Sequence, residues 1–114
     1  MTWLMGALFA SCVACAGVSA DRVALATSAA AIACDGVQTS YGSLDHWRGS
    51  VEANPIIRGR STAFVAGYFL AAEVVNAAVW YFAPGPAWRA AYGGLVTGVE
   101  LYAAGSSDNR YVCR

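Results

Sequence analysis

The sequence predicts an all-α protein, a small transmembrane helical bundle of three or four helices. Hydrophobic residues make up 58% of its 114 residues and charged residues 12%, whereas soluble domains average about 45–50% and about 25%. The apolar residues also fall into long segments separated by short polar stretches, which is typical of helices that cross a bilayer. A chain of this length forms one domain, so we assign residues 21–114 to a single helical membrane domain.

Three hydrophobic segments after residue 20 predict helices at about 22–41, 62–83 and 87–105. The middle segment is the clearest span, because it exceeds the roughly 20 residues that cross a hydrocarbon core. The turn Pro84-Gly85-Pro86 follows it, since neither proline allows a helix to continue. The first segment contains fewer apolar residues, so polar side chains must fall within its last turns.

Those polar side chains are Asp35, Gln38 and Thr39. Spacings of three and four residues place them on one helical face. Gly36 and Gly42 are expected to loosen this helix and to end it. The polar face, with small residues beside it, predicts close contact with a neighbouring helix.

Residues 1–20 fit more than one interpretation. One is a signal peptide that is cleaved after Ala20, because small residues stand at the positions that the peptidase reads. Another is a retained first transmembrane helix, which the absence of lysine and arginine from the N-terminal region favours. A third is lipidation of Cys12, which follows Phe9-Ala10-Ser11.

Eight polar residues within or beside the hydrophobic segments form a candidate polar cluster: Asp35, Gln38, Thr39, Glu52, Asn54, Glu73, Asn76 and Glu100. A charged carboxylate near mid-bilayer costs at least about 2.5–3.5 kcal/mol. These groups must therefore pair, protonate or face a wet interior. No arginine lies deep within a predicted span, so the carboxylates have no cation to share.

Two interpretations of the cluster remain open. In one, Asp35, Glu52 and Glu100 bind a divalent metal near the polar loop, since oxygen ligands suit Mg²⁺, Ca²⁺ or Mn²⁺. In the other, the carboxylates are protonated or lie at the interface, and they form hydrogen bonds between helices.

Glycine and cysteine motifs add two expectations. Gly94 and Gly98 form a G-x-x-x-G motif, which favours close helix packing, either within the chain or between copies. Cys34 and Cys113 could pair as a disulfide. The orientation predicted from charge, however, places both cysteines toward the cytoplasm, where thiols usually stay reduced.

The arginine distribution predicts that orientation. The loop at 43–61 and the C-terminal tail carry more arginines than the opposite side, which the positive-inside rule places in the cytoplasm. The arginines compared are Arg48, Arg58, Arg60, Arg110 and Arg114 on one side, and Arg22 and Arg89 on the other. We expect a multi-pass protein of the bacterial inner membrane with the loop and the C-terminus cytoplasmic.

The stretch from Asp35 onward resembles a family of small, uncharacterised bacterial helical membrane proteins. These have Asp-x-x-x-Thr at the end of one hydrophobic helix, Glu-x-Asn-Pro shortly after, then an aromatic pair and a glutamate on the last helix. The matching residues are Asp35, Gln38, Thr39, Glu52, Asn54, Pro55, Tyr68, Phe69 and Glu100. The resemblance implies membrane placement and brings no established activity with it. Asp108-Asn109-Arg110 departs from the Asn-His-like pair of the family.

These features favour a small integral membrane protein with a structural or accessory role. Its partners would be the lipid bilayer and either further copies or other membrane protein subunits. No basic stripe indicates a nucleic-acid partner. The alternative function is a metal- or proton-dependent membrane enzyme or transporter component that uses the carboxylate cluster.

Overall fold

The computed structural model describes residues 19–44 and 54–106, with side-chain positions as far as Ala103. Three helices form in these residues: α1 (Ala20–Leu44), α2 (Thr62–Phe82) and α3 (Pro86–Ser106). No strand occurs among them. The all-helical prediction is confirmed, and each helix begins and ends within three residues of its predicted bounds.

Local chemistry explains where α2 and α3 begin and where α2 ends. The Ser61 side chain caps α2 by accepting a hydrogen bond from the Phe64 backbone N–H at 3.3 Å. Ala83 ends α2 in an extended conformation, as expected for a residue that precedes proline. Pro86 opens α3 at the first helical position, where a missing backbone N–H removes no hydrogen bond.

α1 is longer than predicted at its C-terminal end. Gly36 and Gly42 neither loosen nor end it, because both lie inside the helix and both are buried. A Cβ atom on Gly36 would stand 2.9 Å from Cγ of Phe69 on α2. The prediction was wrong because Gly36 provides room for that aromatic ring, and tertiary packing overrides the low helix propensity of glycine.

α1 lies between the other two helices. It runs antiparallel to α2, since Ser28 pairs with Asn76 and Ser43 pairs with Thr62. It runs parallel to α3, which contacts α1 more extensively than α2 does. Beyond the short turn that joins them, α2 and α3 contact each other little. α1 therefore provides a contact surface for each of the other two helices.

The apolar core lies toward the end of the bundle where α1 stops. Ile32, Val65 and Phe69 are buried together there, and Ile57 joins them from the turn before α2. The ring of Phe69 stands edge-on to that of Tyr68, with centroids 5.3 Å apart. The turn at 54–60 is thus attached to the bundle by a side chain that is 1% exposed, that of Ile57.

α1 and α3 approach each other closely at Gly93. A Cβ atom on this glycine would stand 2.7 Å from both Cβ and the carbonyl oxygen of Ala24. Gly94 and Gly98, the predicted packing residues, have nothing within 4 Å of such an atom. Packing within the chain therefore uses the neighbouring glycine, and packing of Gly94 and Gly98 against another copy stays a prediction.

We expect Gly93→Ala to destabilise the fold by about 1–3 kcal/mol, because the new methyl group overpacks a contact with backbone atoms. Gly94→Ala is the matched control, since it adds the same methyl group one residue along in open space. The control should be up to about 1 kcal/mol more stable than the natural chain. Chemical unfolding followed by circular dichroism in detergent measures both. Equal effects of the two substitutions would contradict the close approach.

Candidate functional site

A layer of four polar side chains crosses the three helices near their middle. We call it the central polar layer; it consists of Thr27 and Ser28 on α1, Asn76 on α2 and Thr97 on α3. Asn76 Nδ2 donates a hydrogen bond to Ser28 Oγ at 2.9 Å, and the Asn76 residue is only 2% exposed. Ser28 Oγ in turn donates to the Leu25 carbonyl oxygen at 2.9 Å.

The α3 side of the central polar layer is formed by a pair of threonines. Thr97 Oγ1 lies 2.7 Å from the Gly93 carbonyl oxygen and 3.3 Å from Thr27 Oγ1. Because a hydroxyl has one proton to donate, these two acceptors compete for it. Thr27 Oγ1 donates to the Ala24 carbonyl oxygen at 3.2 Å. The link to α3 is therefore weaker than the link from Asn76 to Ser28.

Asn76 retains one acceptor that is not used by the described part of the chain. Its Oδ1 atom is buried and has no hydrogen-bond partner there. A buried carbonyl oxygen without a donor costs about 1–3 kcal/mol. The amide does not titrate, so the layer can accept a hydrogen bond or a cation but cannot itself release a proton.

The predicted polar cluster is brought together only in part. Gln38 and Thr39 are buried on the inward face of α1, and Asp35 is half-buried beside them. Glu73 on α2 and Glu100 on α3 are both half-buried.

The predicted metal ligands were Asp35, Glu52 and Glu100. Glu52 lies outside the described residues. Within residues 19–44 and 54–106, no three His, Cys, Asp or Glu side chains are close enough to hold a metal ion. A divalent ion at this position therefore stays a prediction, and its ligand set would need Glu52.

Asn54 organises the entry to α2. Its Oδ1 atom accepts a hydrogen bond from the Ile56 N–H at 3.0 Å across Pro55, and its Nδ2 atom donates to Tyr68 Oη at 3.0 Å. The first of these contacts is an Asx turn, which asparagine favours before an irregular segment. Asn54 thus joins two of the segments that carry the family resemblance, and its role here is to position the turn.

Sequence reasoning missed a junction at the opposite end of the bundle. Arg89 donates from Nε to the Trp80 carbonyl oxygen at 3.0 Å and from Nη2 to that of Tyr81 at 3.2 Å. These carbonyls are exposed by the end of α2, so the guanidinium caps that helix. It also lies 4.8 Å from the centroid of the Trp80 ring. The sequence did contain a signal for this junction, because an arginine in the first turn of α3 follows shortly after the aromatic residues that end α2.

Asp21 joins α1 to the same junction. The Trp80 indole Nε1 donates to the Asp21 carbonyl oxygen at 2.7 Å, and Arg89 Nη1 lies 3.7 Å from Asp21 Oδ2. Asp21 thus contacts both α2 and α3, and the junction fixes one end of all three helices.

No known protein family, curated protein or solved structure shows a significant match to this chain. The resemblance to small bacterial membrane proteins therefore stays a prediction. Functional inference depends on the geometry of the chain alone.

A double-mutant cycle tests the link between α1 and α2. We expect Asn76→Ala and Ser28→Ala each to cost about 0.5–1.5 kcal/mol, with a coupling of about 0.6 and at most about 1.7 kcal/mol. Unfolding in detergent measures the four free energies. Val75→Ala replaces Asn76→Ala in a control cycle, because Val75 is exposed on the outward side of α2. Coupling equal to that of the control would contradict the hydrogen bond.

Proposed function

We propose that the chain is a small multi-pass protein of the bacterial inner membrane, with a structural or accessory role. The observation that carries the proposal is the inverted distribution of polarity. Polar side chains such as Ser28, Gln38 and Asn76 are buried, while large apolar side chains face outward. A soluble protein of this size covers its apolar residues and exposes its polar ones.

The outward apolar surface is most extensive on α2. This helix is long and apolar enough to cross a membrane, and few residues of its apolar window are buried. Leu70 is 68% exposed, Val74 70% and Phe82 80%. A continuous exposed surface of this kind supports contact with lipid or with another membrane helix.

The other two helices are proposed to cross the bilayer with α2. Among the described helices, only α2 meets the criterion of length and apolarity. However, α1 and α3 have 25 and 21 residues, and at 1.5 Å per residue each exceeds a hydrocarbon core of about 30 Å. Their lower hydropathy comes partly from polar residues that face each other, which favours a bundle of spans.

An accessory role is consistent with the small number of polar residues in the chain, which leaves little room for a catalytic domain. The outward face of α3 carries Gly94 and Gly98 beside Leu95 and Leu101, which are exposed. Small residues between large apolar ones allow a second membrane helix to approach closely. The proposed partners are therefore another copy or a subunit of a larger membrane complex.

The metal- or proton-dependent alternative has less support. Glu73 and Glu100 are half-buried carboxylates on two of the proposed spans, which a proton-binding site could use. The cluster was predicted around Asp35, Glu52 and Glu100, however, and the described carboxylates do not converge on one ion. We therefore retain the structural role as the principal proposal.

Substitution on the outward face tests the membrane placement. We expect Val74→Arg to reduce the membrane-inserted fraction, because arginine near mid-bilayer costs about 2.5–3.5 kcal/mol on insertion scales. Val74→Ala, the matched control, should stay inserted. Carbonate-resistant pelleting of cell membranes measures the fraction. A natural chain that is soluble without detergent, or a Val74→Arg variant with improved soluble yield, would overturn the proposal.

Purification in mild detergent tests the accessory role. We expect the 11.8 kDa chain to elute with a second copy or with another membrane protein. Gly98→Leu should weaken that association if α3 provides the contact. Gly67→Leu on α2 is the control, because Gly67 also has open space around it. Elution as a lone monomer would argue against the accessory role, and equal effects of the two variants would exclude the α3 face.

A further inference from the structure

The central polar layer contains a buried acceptor that the described helices leave unsatisfied. Asn76 is 2% exposed, and its Oδ1 atom has no hydrogen-bond partner among the described residues. Ser28, which pairs with the other arm of the amide, is 1% exposed. Buried carbonyl oxygens nearly always accept a hydrogen bond, either from the protein or from an ordered water molecule. The Asn76 Oδ1 atom therefore points to a small ligand between α1 and α2.

Ser28 determines which arm of the amide is left for that ligand. Its hydroxyl has one proton, which it donates to the Leu25 carbonyl oxygen at 2.9 Å, so Ser28 meets Asn76 as an acceptor. Nδ2 of Asn76 is the matching donor, at 2.9 Å. Reversing the amide would set two acceptor oxygens against each other. The arm that turns away from Ser28 is thus the carbonyl.

The threonines of the central polar layer have no proton to spare for this carbonyl. Thr27 Oγ1 donates to the Ala24 carbonyl oxygen at 3.2 Å. The Thr97 proton is divided between the Gly93 carbonyl oxygen and Thr27 Oγ1. The hydroxyl groups of the layer therefore retain lone pairs but no uncommitted proton. A ligand that fits must donate hydrogen bonds.

A neutral donor fits this site better than a cation does. Lone pairs of hydroxyl and amide oxygens also suit a cation, but all four side chains of the central polar layer are uncharged. An ion that leaves water for a buried site without a counter-charge loses far more solvation energy than a neutral molecule. Water supplies two O–H donors and carries no charge.

One water molecule is long enough to reach both helices. The C=O and C–N bonds of an amide are about 1.23 and 1.33 Å, and Nδ2 lies 2.9 Å from Ser28 Oγ. Asn76 Oδ1 is therefore at most about 5.5 Å from Ser28 Oγ. A water that donates both protons at about 2.8 Å spans up to about 5.6 Å. Ala24 and Ala31, one turn to either side of Ser28, are buried beside it, so the neighbouring side chains on this face of α1 are small.

We propose that an internal water molecule is bound between α1 and α2, where it donates one hydrogen bond to Asn76 Oδ1 and the other to Ser28 Oγ. The direct bond from Nδ2 and the bond through water then join the same two side chains. Water-mediated bonds of this kind contribute nearly the enthalpy of direct ones. The site is formed by the helix packing and does not depend on the proposed membrane placement.

Relaxation dispersion of ¹⁷O-enriched water counts the water molecules that tumble with the full chain in detergent. We expect long-lived water in the natural chain and about one such molecule fewer in Asn76→Leu, because leucine has a similar shape and no acceptor. Val75→Leu is the matched control on the exposed side of α2, and it should lose none. A natural chain without long-lived water, or an unchanged number in Asn76→Leu, would overturn the proposal.

Ser28→Ala provides a second variant that keeps the proposal testable if Asn76→Leu does not fold. It removes one of the two acceptors and replaces serine with the residue that favours helix most. We expect the bound water to exchange faster, with a smaller dispersion than in the natural chain. An unchanged dispersion would contradict the bridge to Ser28.

Thermal unfolding in different salts separates water from a cation. We expect the natural chain to unfold at the same temperature in sodium, potassium and choline chloride of equal concentration, since water occupies the site in all three. Stabilisation by sodium or potassium alone, which is lost in Asn76→Leu and kept in Val75→Leu, would overturn the assignment to water.

Discussion

The inward face of α1 must be covered, and this requirement determines how the other two helices lie. The face carries polar groups at Ser28, Gln38 and Thr39, which need hydrogen-bond partners when they are buried. α2 covers it with Asn76 and Phe69, and α3 covers it with Gly93 and Thr97. Since α1 supplies a contact surface to each, α2 and α3 need few contacts with each other. Removing α1 would leave two helices joined by little more than a turn.

Two kinds of contact hold α1 in place, and they differ in strength. The Asn76–Ser28 hydrogen bond and the packing of Phe69 on Gly36 fix α2 against it. α3 approaches more closely at Gly93, but its threonine pair shares one proton between two acceptors. The α1–α3 interface therefore depends mainly on dispersion contacts between small residues. Such contacts weaken steeply when a larger side chain forces the two helices apart.

The helices themselves were predictable because apolar segment length, proline positions and the turn at Pro84-Gly85-Pro86 are local signals. The end of α1 was not, since the burial of Gly36 depends on a ring 33 residues away in the sequence. The same limit applies to Arg89, whose acceptors belong to the preceding helix. Polar residues at helical spacing indicated the inward faces. They did not indicate that Asn76 would pair with Ser28, because that depends on the relative shift of α1 and α2.

The partial apolarity of α1 has a consequence for biogenesis. Synthesis proceeds from the N-terminus, so α1 emerges from the ribosome before the helix that covers its polar face. In the proposed membrane placement, α1 alone would expose Ser28, Gln38 and Thr39 to hydrocarbon, which cannot satisfy their hydrogen bonds. The proposal therefore implies that α1 and α2 enter the lipid together as a hairpin, with α3 added last along the opposite side of α1.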